Sequence, residues 1–320
     1  MLKLNTLSGF GSGVSAGGVA AVKGYFQGGQ KDSNTDKCEK LTFATSVMVA
    51  NSDGDLNDTP EKPCEASDSV TYGYTIGGAG VADSTLSFRM TYATDVGALD
   101  ATSDFPVNIM SAGTMNDGST YSYTAGGYSD ARITASYRLT HAAGTWATHT
   151  DADIAVAKNN MLGCCLSDGA TYGYAVGGHT GAVVDTGERL TYSSGTMAVH
   201  TDADFATGSA RNLTAAHNGP LAGYQTCGGS PLVDTTDKIT FATGVSSTST
   251  DMDAVDGNRN NPDGIGDNAT YGYMTGGWQV PYTTETERMT YATEAYALHT
   301  DADLQVDGKG SGSTFSLGGV

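Results

Sequence analysis

The feature that most constrains this chain is a short aromatic run closed by a glycine pair, written seven times. It reads GYFQGG (Gly24–Gly29), YGYTIGG (Tyr72–Gly78), YSYTAGG (Tyr121–Gly127), YGYAVGG (Tyr172–Gly178), GYQTCGG (Gly223–Gly229), YGYMTGG (Tyr271–Gly277) and TFSLGG (Thr314–Gly319). One copy would suit either a phosphate-cradling loop that opens a helix or a turn that ends a strand. Seven copies, with second glycines at 29, 78, 127, 178, 229, 277 and 319, would need a phosphate site in every unit. A period of this length instead marks one supersecondary unit repeated along the chain. Each copy therefore reads as a β-strand, its glycines letting the backbone leave the sheet where φ is positive.

A second strand accompanies each copy. It appears as KLTFATS from Lys40, RMTYATD from Arg89, RLTHAAG from Arg138, RLTYSSG from Arg189, KITFATG from Lys238 and RMTYATE from Arg288, with KLNTLSG from Lys3 as a seventh. Four strands are expected per unit. In the fourth unit an apolar strand around Asn159–Leu166 leads through Asp168-Gly169, favoured chemistry for a two-residue hairpin, into TYGYAVGG. A variable loop, ERLTYSSG, the Ser194-Gly195 turn and TMAVHTDAD follow, and Asp117-Gly118 and Asn218-Gly219 mark the first turn in other units. The chain opens on a third-strand motif and stops after a second-strand motif. The expectation is a single all-β domain over 1–320, a seven-bladed propeller of four-stranded antiparallel blades. About 1–16 and 305–320 would share the closing blade and remove the open sheet edges.

Composition agrees. The 44 glycines and a charged fraction of only 16% suit many short strands with tight turns, and 38% hydrophobic residues suffice for a core. A net charge of −19 repels nucleic-acid phosphates and anionic membranes. The opening MLKLNTLSGFGSG lacks the apolar stretch of a signal peptide, and no run reaches transmembrane length, so a soluble protein not exported by the ordinary route is expected. Of the five cysteines, Cys164 and Cys165 read as small buried thiols, whereas Cys38 and Cys64 leave a disulfide open.

The glycine pairs, Tyr92, Tyr192 and Tyr291 in the third strands, Phe43 and Phe241 in their place elsewhere, and the later aromatics Trp146 and Tyr296 resemble a divergent kelch-repeat β-propeller. The variant YGY..GG…ERLTY resembles kelch-type repeats of marine bacteriophage virion proteins. That resemblance implies a structural or attachment role in a virion, as tail, fibre or surface decoration. Its partners would be other virion proteins or host-surface glycans, with a homo-oligomer or symmetric assembly expected.

Catalytic signatures are missing from the sequence: it has no nucleophile elbow, P-loop or zinc-protease helix. An Asp recurs fifteen residues after the basic residue of the third strand in six units (Asp55, Asp104, Asp153, Asp204, Asp253, Asp303), and another thirteen residues after it in five (Asp53, Asp151, Asp202, Asp251, Asp301). Calcium binding at Asn51–Asp58 is one reading, but a repeated Arg–Asp pair across the third and fourth strands, as between Arg189 and Asp202, is the preferred one. His149, His200 and His299 recur in HTDAD and read as rim packing rather than metal ligands. No cofactor or metal is expected. The loops after the glycine pairs differ between units and open on one face, which makes Tyr128, His179, Trp278 and Tyr282 the candidate ligand-binding residues. The expectation is a non-catalytic binding propeller in a virion or extracellular setting. A carbohydrate-active or oxidising kelch-type enzyme and a protein-binding kelch adaptor are the alternatives.

Overall fold

The structure is a computed structural model that describes residues 22–29, 34–79, 85–206, 214–229, 232–248, 250–255, 257–278, 283–305 and 312–317. These residues form six four-stranded antiparallel sheets. Blade 1 consists of Ser313–Leu317, Lys23–Gln27, Cys38–Thr42 and Val47–Ala50. Blade 2 runs Cys64–Ser67, Tyr72–Ile76, Ser87–Thr91 and Val96–Leu99, and blade 3 runs Gly113–Asn116, Tyr121–Ala125, Tyr137–Thr140 and Thr145–Thr148. Blade 4 is Cys165–Ser167, Tyr172–Val176, Gly187–Thr191 and Thr196–Val199. Blade 5 is Ala215–Asn218, Ala222–Thr226, Thr236–Thr240 and Val245–Thr248; blade 6 is Asp263–Gly266, Tyr271–Thr275, Thr286–Thr290 and Ala295–Leu298. Each first strand touches the first strands of both neighbouring blades, from blade 1 round to blade 6 and back, so the ring is closed.

Six blades among the described residues replace the expected seven. The run TFSLGG has the lettering of a second strand, but Ser313–Leu317 pairs with Lys23–Gln27, Tyr25 standing opposite Phe315, and takes the innermost place in blade 1. It therefore completes a blade that already has its glycine-pair strand instead of founding another. Blade 6 also meets blade 1 directly: Ser46 Oγ and the Tyr273 hydroxyl are 2.7 Å apart, and the Gln305 amide donates to Glu39 Oε2 at 3.2 Å. The third-strand motif at Lys3 and the 1–16 half of the expected closing blade lie outside the described residues.

The first strand of blade 4 is shorter than expected, covering Cys165–Ser167, because 159–164 belong to the crossover that enters the blade. The first turn is wider than two residues. Asp168 donates its amide to Tyr172 O, and its Oδ1 accepts the amides of Ala170, Thr171 and Tyr172 at 2.7–2.9 Å. Asp68, Asp117 and Asp267 make the same three-amide clasp, an Asx motif that replaces backbone partners the turn cannot supply.

Neighbouring blades are joined through one recurrent contact. In five of the six joints the second-strand tyrosine is buried against the third-strand aromatic of the next blade; between blades 2 and 3 that position is His141. Tyr25 stacks on Tyr92, Tyr123 on Tyr192, Tyr174 on Phe241 and Tyr224 on Tyr291, with ring centroids 5.6–6.3 Å apart. Phe43 lies against Tyr273, at 5.8 Å, where blade 6 meets blade 1. The joint also receives the turn between the third and fourth strands of the next blade, whose tip has positive φ in all six blades: Ser46, Asp95, Gly144, Gly195, Gly244 and Glu294.

Two versions of the joint occur. In blades 2, 3, 4 and 6 the third strand carries an Arg whose guanidinium lies 4.2–4.4 Å over the ring of Tyr72, Tyr121, Tyr172 or Tyr271. In blades 1 and 5 it carries Lys40 or Lys238 instead, Lys23 or Ala222 replaces that tyrosine, and the next blade's turn supplies a carboxylate. Lys40 pairs with Asp95 at 2.9 Å and Lys238 with Glu294 at 2.9 Å. Arginine stacks on a ring and leaves the tip free to be glycine or serine; lysine is a compact charge that needs an anion. The acid also receives the inner tyrosine hydroxyl, from Tyr25 at Asp95 and from Tyr224 at Glu294.

The expected Arg–Asp ladder is thus largely replaced. Arg189 stands opposite Tyr174 and Ala198, and among these strand pairs only Arg89–Asp100, at 2.7 Å, is an ion pair. The recurrent Asp instead accepts the backbone amide that begins the third strand: Asp55 from Cys38, Asp153 from Ser136, Asp204 from Gly187 and Asp303 from Thr286, at 2.7–2.8 Å. The HTDAD histidines reach into the joint. His149 Nε2 lies 3.0 Å from Gly195 O, His200 Nε2 3.2 Å from Gly244 O and His299 Nε2 3.2 Å from Ser46 O. All five cysteines are buried and free, which removes the Cys38–Cys64 disulfide.

Two outcomes test this packing. Gly178 has φ of +94° and an added Cβ would meet the Met161 sulfur, so Gly178→Val is expected to cost about 2–5 kcal/mol in urea melts. Burial works against ionisation of Asp95, but hydrogen bonds from Lys23, Tyr25 and Lys40 outweigh it and hold its carboxyl down at about 2. A lowered folded value means that the stabilisation is present above pH about 4 and is lost as the pH falls toward 2. Asp95→Asn should lose about 1–3 kcal/mol at pH 7 and lose less than wild type on further acidification. Matching melts for the two proteins at pH 7 would contradict the joint.

Candidate functional site

Two regions bring polar side chains together where a ligand has access. The first is the face formed by the loops after the glycine pairs and the crossovers between blades. In blades 2, 3, 4 and 6 the residue after the glycine pair is pinned to the incoming crossover by two backbone hydrogen bonds. Ala79 exchanges them with Glu61, Tyr128 with Met110, His179 with Asn159 and Trp278 with Asn260, at 2.7–3.1 Å. The backbone of this position is the same in blades 2, 3, 4 and 6, while its side chain is different in each.

Tyr128, His179 and Trp278 therefore occupy one register on one face but belong to blades 3, 4 and 6. Trp278 is 38% exposed, whereas Tyr128 and His179 are half-buried. Tyr282 lies outside the described residues. The structure brings His179 close to blade 3 through a residue that the sequence pattern did not single out. Arg132 Nε donates to Asn159 Oδ1 at 3.1 Å, and Arg132 Nη2 lies 3.1 Å from His179 Nδ1. Arg132 ends a small hairpin, Tyr128–Ser129 against Ala131–Arg132, in which Tyr128 stands opposite Arg132. The available signal was that Arg132 falls inside a loop with no counterpart in the repeat.

The second region is the channel along the ring axis. A cavity of about 110 Å³ is lined by first-strand residues that include Glu65, Ser67, Asn116, Cys165, His217 and Thr314, and it is large enough for several waters. Glu65 Oε2 accepts the Thr314 amide at 2.8 Å and Asp263 Oδ1 accepts the Gly312 amide at 3.1 Å, so two carboxylates flank the chain that completes blade 1. Burial, opposed by the Thr314 amide and assisted by the charge on Asp263, pushes Glu65 up to about 8. Burial likewise pushes His217 down to about 3, with its Nε2 2.7 Å from the Tyr296 hydroxyl, and raises the Cys64 thiol to about 12. These groups are neutral packing and fastening elements near pH 7.

Among the described residues no group of three or more His, Cys, Asp or Glu side chains is arranged to hold a metal ion. No protein-family model matches the chain, and no curated protein matches it.

The channel gives a pH prediction. A carboxyl whose folded value is raised contributes stability that is present below pH about 4.5 and is lost as the pH rises toward 8. Glu65→Gln keeps an acceptor for the Thr314 amide and removes the titration. Its melting temperature should therefore gain on wild type between pH 5 and 8, and a constant difference across that range would contradict the burial of Glu65.

Proposed function

We propose that the chain is a non-catalytic binding propeller of a virion, engaging other virion proteins or host-surface glycans through the loop face. One observation carries this reading. The position after the glycine pair has the same doubly hydrogen-bonded backbone in blades 2, 3, 4 and 6, yet presents alanine, tyrosine, histidine and tryptophan in turn. A scaffold that fixes the backbone and varies the side chain is a platform for recognition, since contacts there are held in place before a ligand arrives. An indole exposed beside polar loops is suited to stacking on a sugar face. The kelch-like lettering of the repeats and the strongly acidic composition support the virion setting.

The test is binding of the intact protein to an array of bacterial-surface glycans and to host cells. Trp278→Ala and Tyr128→Ala are each expected to weaken binding at least tenfold with unchanged thermal melting, since neither side chain is fully buried. Full binding by the double variant would refute a role for this face.

A further inference from the structure

The corner where blade 3 meets blade 4 holds an arginine unlike the others. Arg89, Arg138, Arg189 and Arg288 lie over tyrosine rings and Arg259 pairs with Glu287 at 3.0 Å. Among the described residues, the guanidinium of Arg132 meets neither a tyrosine ring nor a carboxylate. It is exposed but not loose, because Asn159 Oδ1 and His179 Nδ1, each at 3.1 Å, fix the plane of the group. Its hairpin is anchored in turn: the Ile133 amide donates to Gly127 O at 3.1 Å, and the Lys158 amide to Ile133 O at 3.3 Å.

Hydrogen-bond chemistry then settles what the corner offers. A guanidinium has donors only, so Nδ1 of His179 accepts and the imidazole proton sits on Nε2. The remaining guanidinium N–H groups and the imidazole Nε2–H are left as donors, with the Tyr128 ring across the hairpin from Arg132. A fixed set of donors beside an aromatic ring selects an oxyanion attached to a body with an apolar face. The net charge of −19 does not forbid this. At about 0.15 M salt charges are screened over roughly 8 Å, so the guanidinium outweighs carboxylates beyond that range, and Asp130, at the exposed tip of the same hairpin, makes no ion pair with it.

We propose that this corner binds an acidic saccharide, its oxyanion seated on Arg132 and His179 and its sugar ring against Tyr128. The proposal rests on the loop face being a binding face, and it adds the ligand class. Both a uronic-acid carboxylate and a sulfate ester present the required oxyanion, and separate probes distinguish them.

The experiment is calorimetric titration of the intact protein with trigalacturonate, with its neutral methyl ester and with a sulfated trisaccharide. At least one acidic probe should bind at least tenfold more tightly than the ester, and whichever binds identifies the anion. Arg132→Met should weaken that binding at least tenfold without a change in melting temperature. Arg132→Lys, which keeps charge but loses the planar fork, should recover only part of it. Equal binding of ester and acid, binding unaffected by Arg132→Met, or binding of neither acidic probe overturns the proposal. Should Arg132→Met be silent while Trp278→Ala still abolishes neutral-glycan binding, the loop-face reading stands and this inference alone falls.

Discussion

Everything in this propeller depends on how one blade grips the next. A single four-stranded sheet buries too little to persist alone, and stability comes from the interfaces between units. Here the interface is built on buried tyrosines, five of them packed on an aromatic of the following blade and met by the tip of its outer turn. That tip has positive φ in every blade. Glycine accepts the conformation readily, whereas Ser46, Asp95 and Glu294 adopt it at a conformational cost. The cost is offset because those three side chains reach back to the inner tyrosine of the preceding blade. Arginine with tyrosine, or lysine with an acid, are two chemical solutions to one geometric demand, and both occur within one chain.

Most of the architecture was legible in the letters because it repeats. The strands, their order and the glycine-pair turns recur at nearly constant spacing, and the structure places them as expected. The blade count was misread for a physical reason: TFSLGG carries second-strand lettering, while its place is decided by the partner it pairs with, 290 residues away. The Arg–Asp reading failed because sequence spacing does not reveal a diagonal contact. The guanidinium turns to the ring on the neighbouring strand, and the aspartate turns to a backbone amide.

The candidate site was legible only in part. Tyr128, His179 and Trp278 were identifiable as the first residues beyond the repeat, and they do share a register. Their separation among three blades follows from the circular arrangement, which a linear pattern does not display. Arg132 stands in a loop hairpin with no counterpart in the repeat and Asn159 at a crossover position whose residue differs between blades, and only the fold makes them neighbours. A periodic sequence reports what every blade must do. Recognition belongs to what a single blade does differently.

The position of Ser313–Leu317 at the centre of blade 1 has a consequence for the order of events during synthesis. Blades 2 to 6 are each built from contiguous chain and can form as they emerge from the ribosome. Blade 1 lacks its innermost strand until Ser313–Leu317 is made, so the ring stays open, with that edge of Lys23–Gln27 unpaired, while blades 2 to 6 are synthesised. Pairings this distant in sequence are the slow ones in folding, and an unpaired strand edge is a template for other chains. The nascent protein thus passes an aggregation-prone interval before Ser313–Leu317 slots into place.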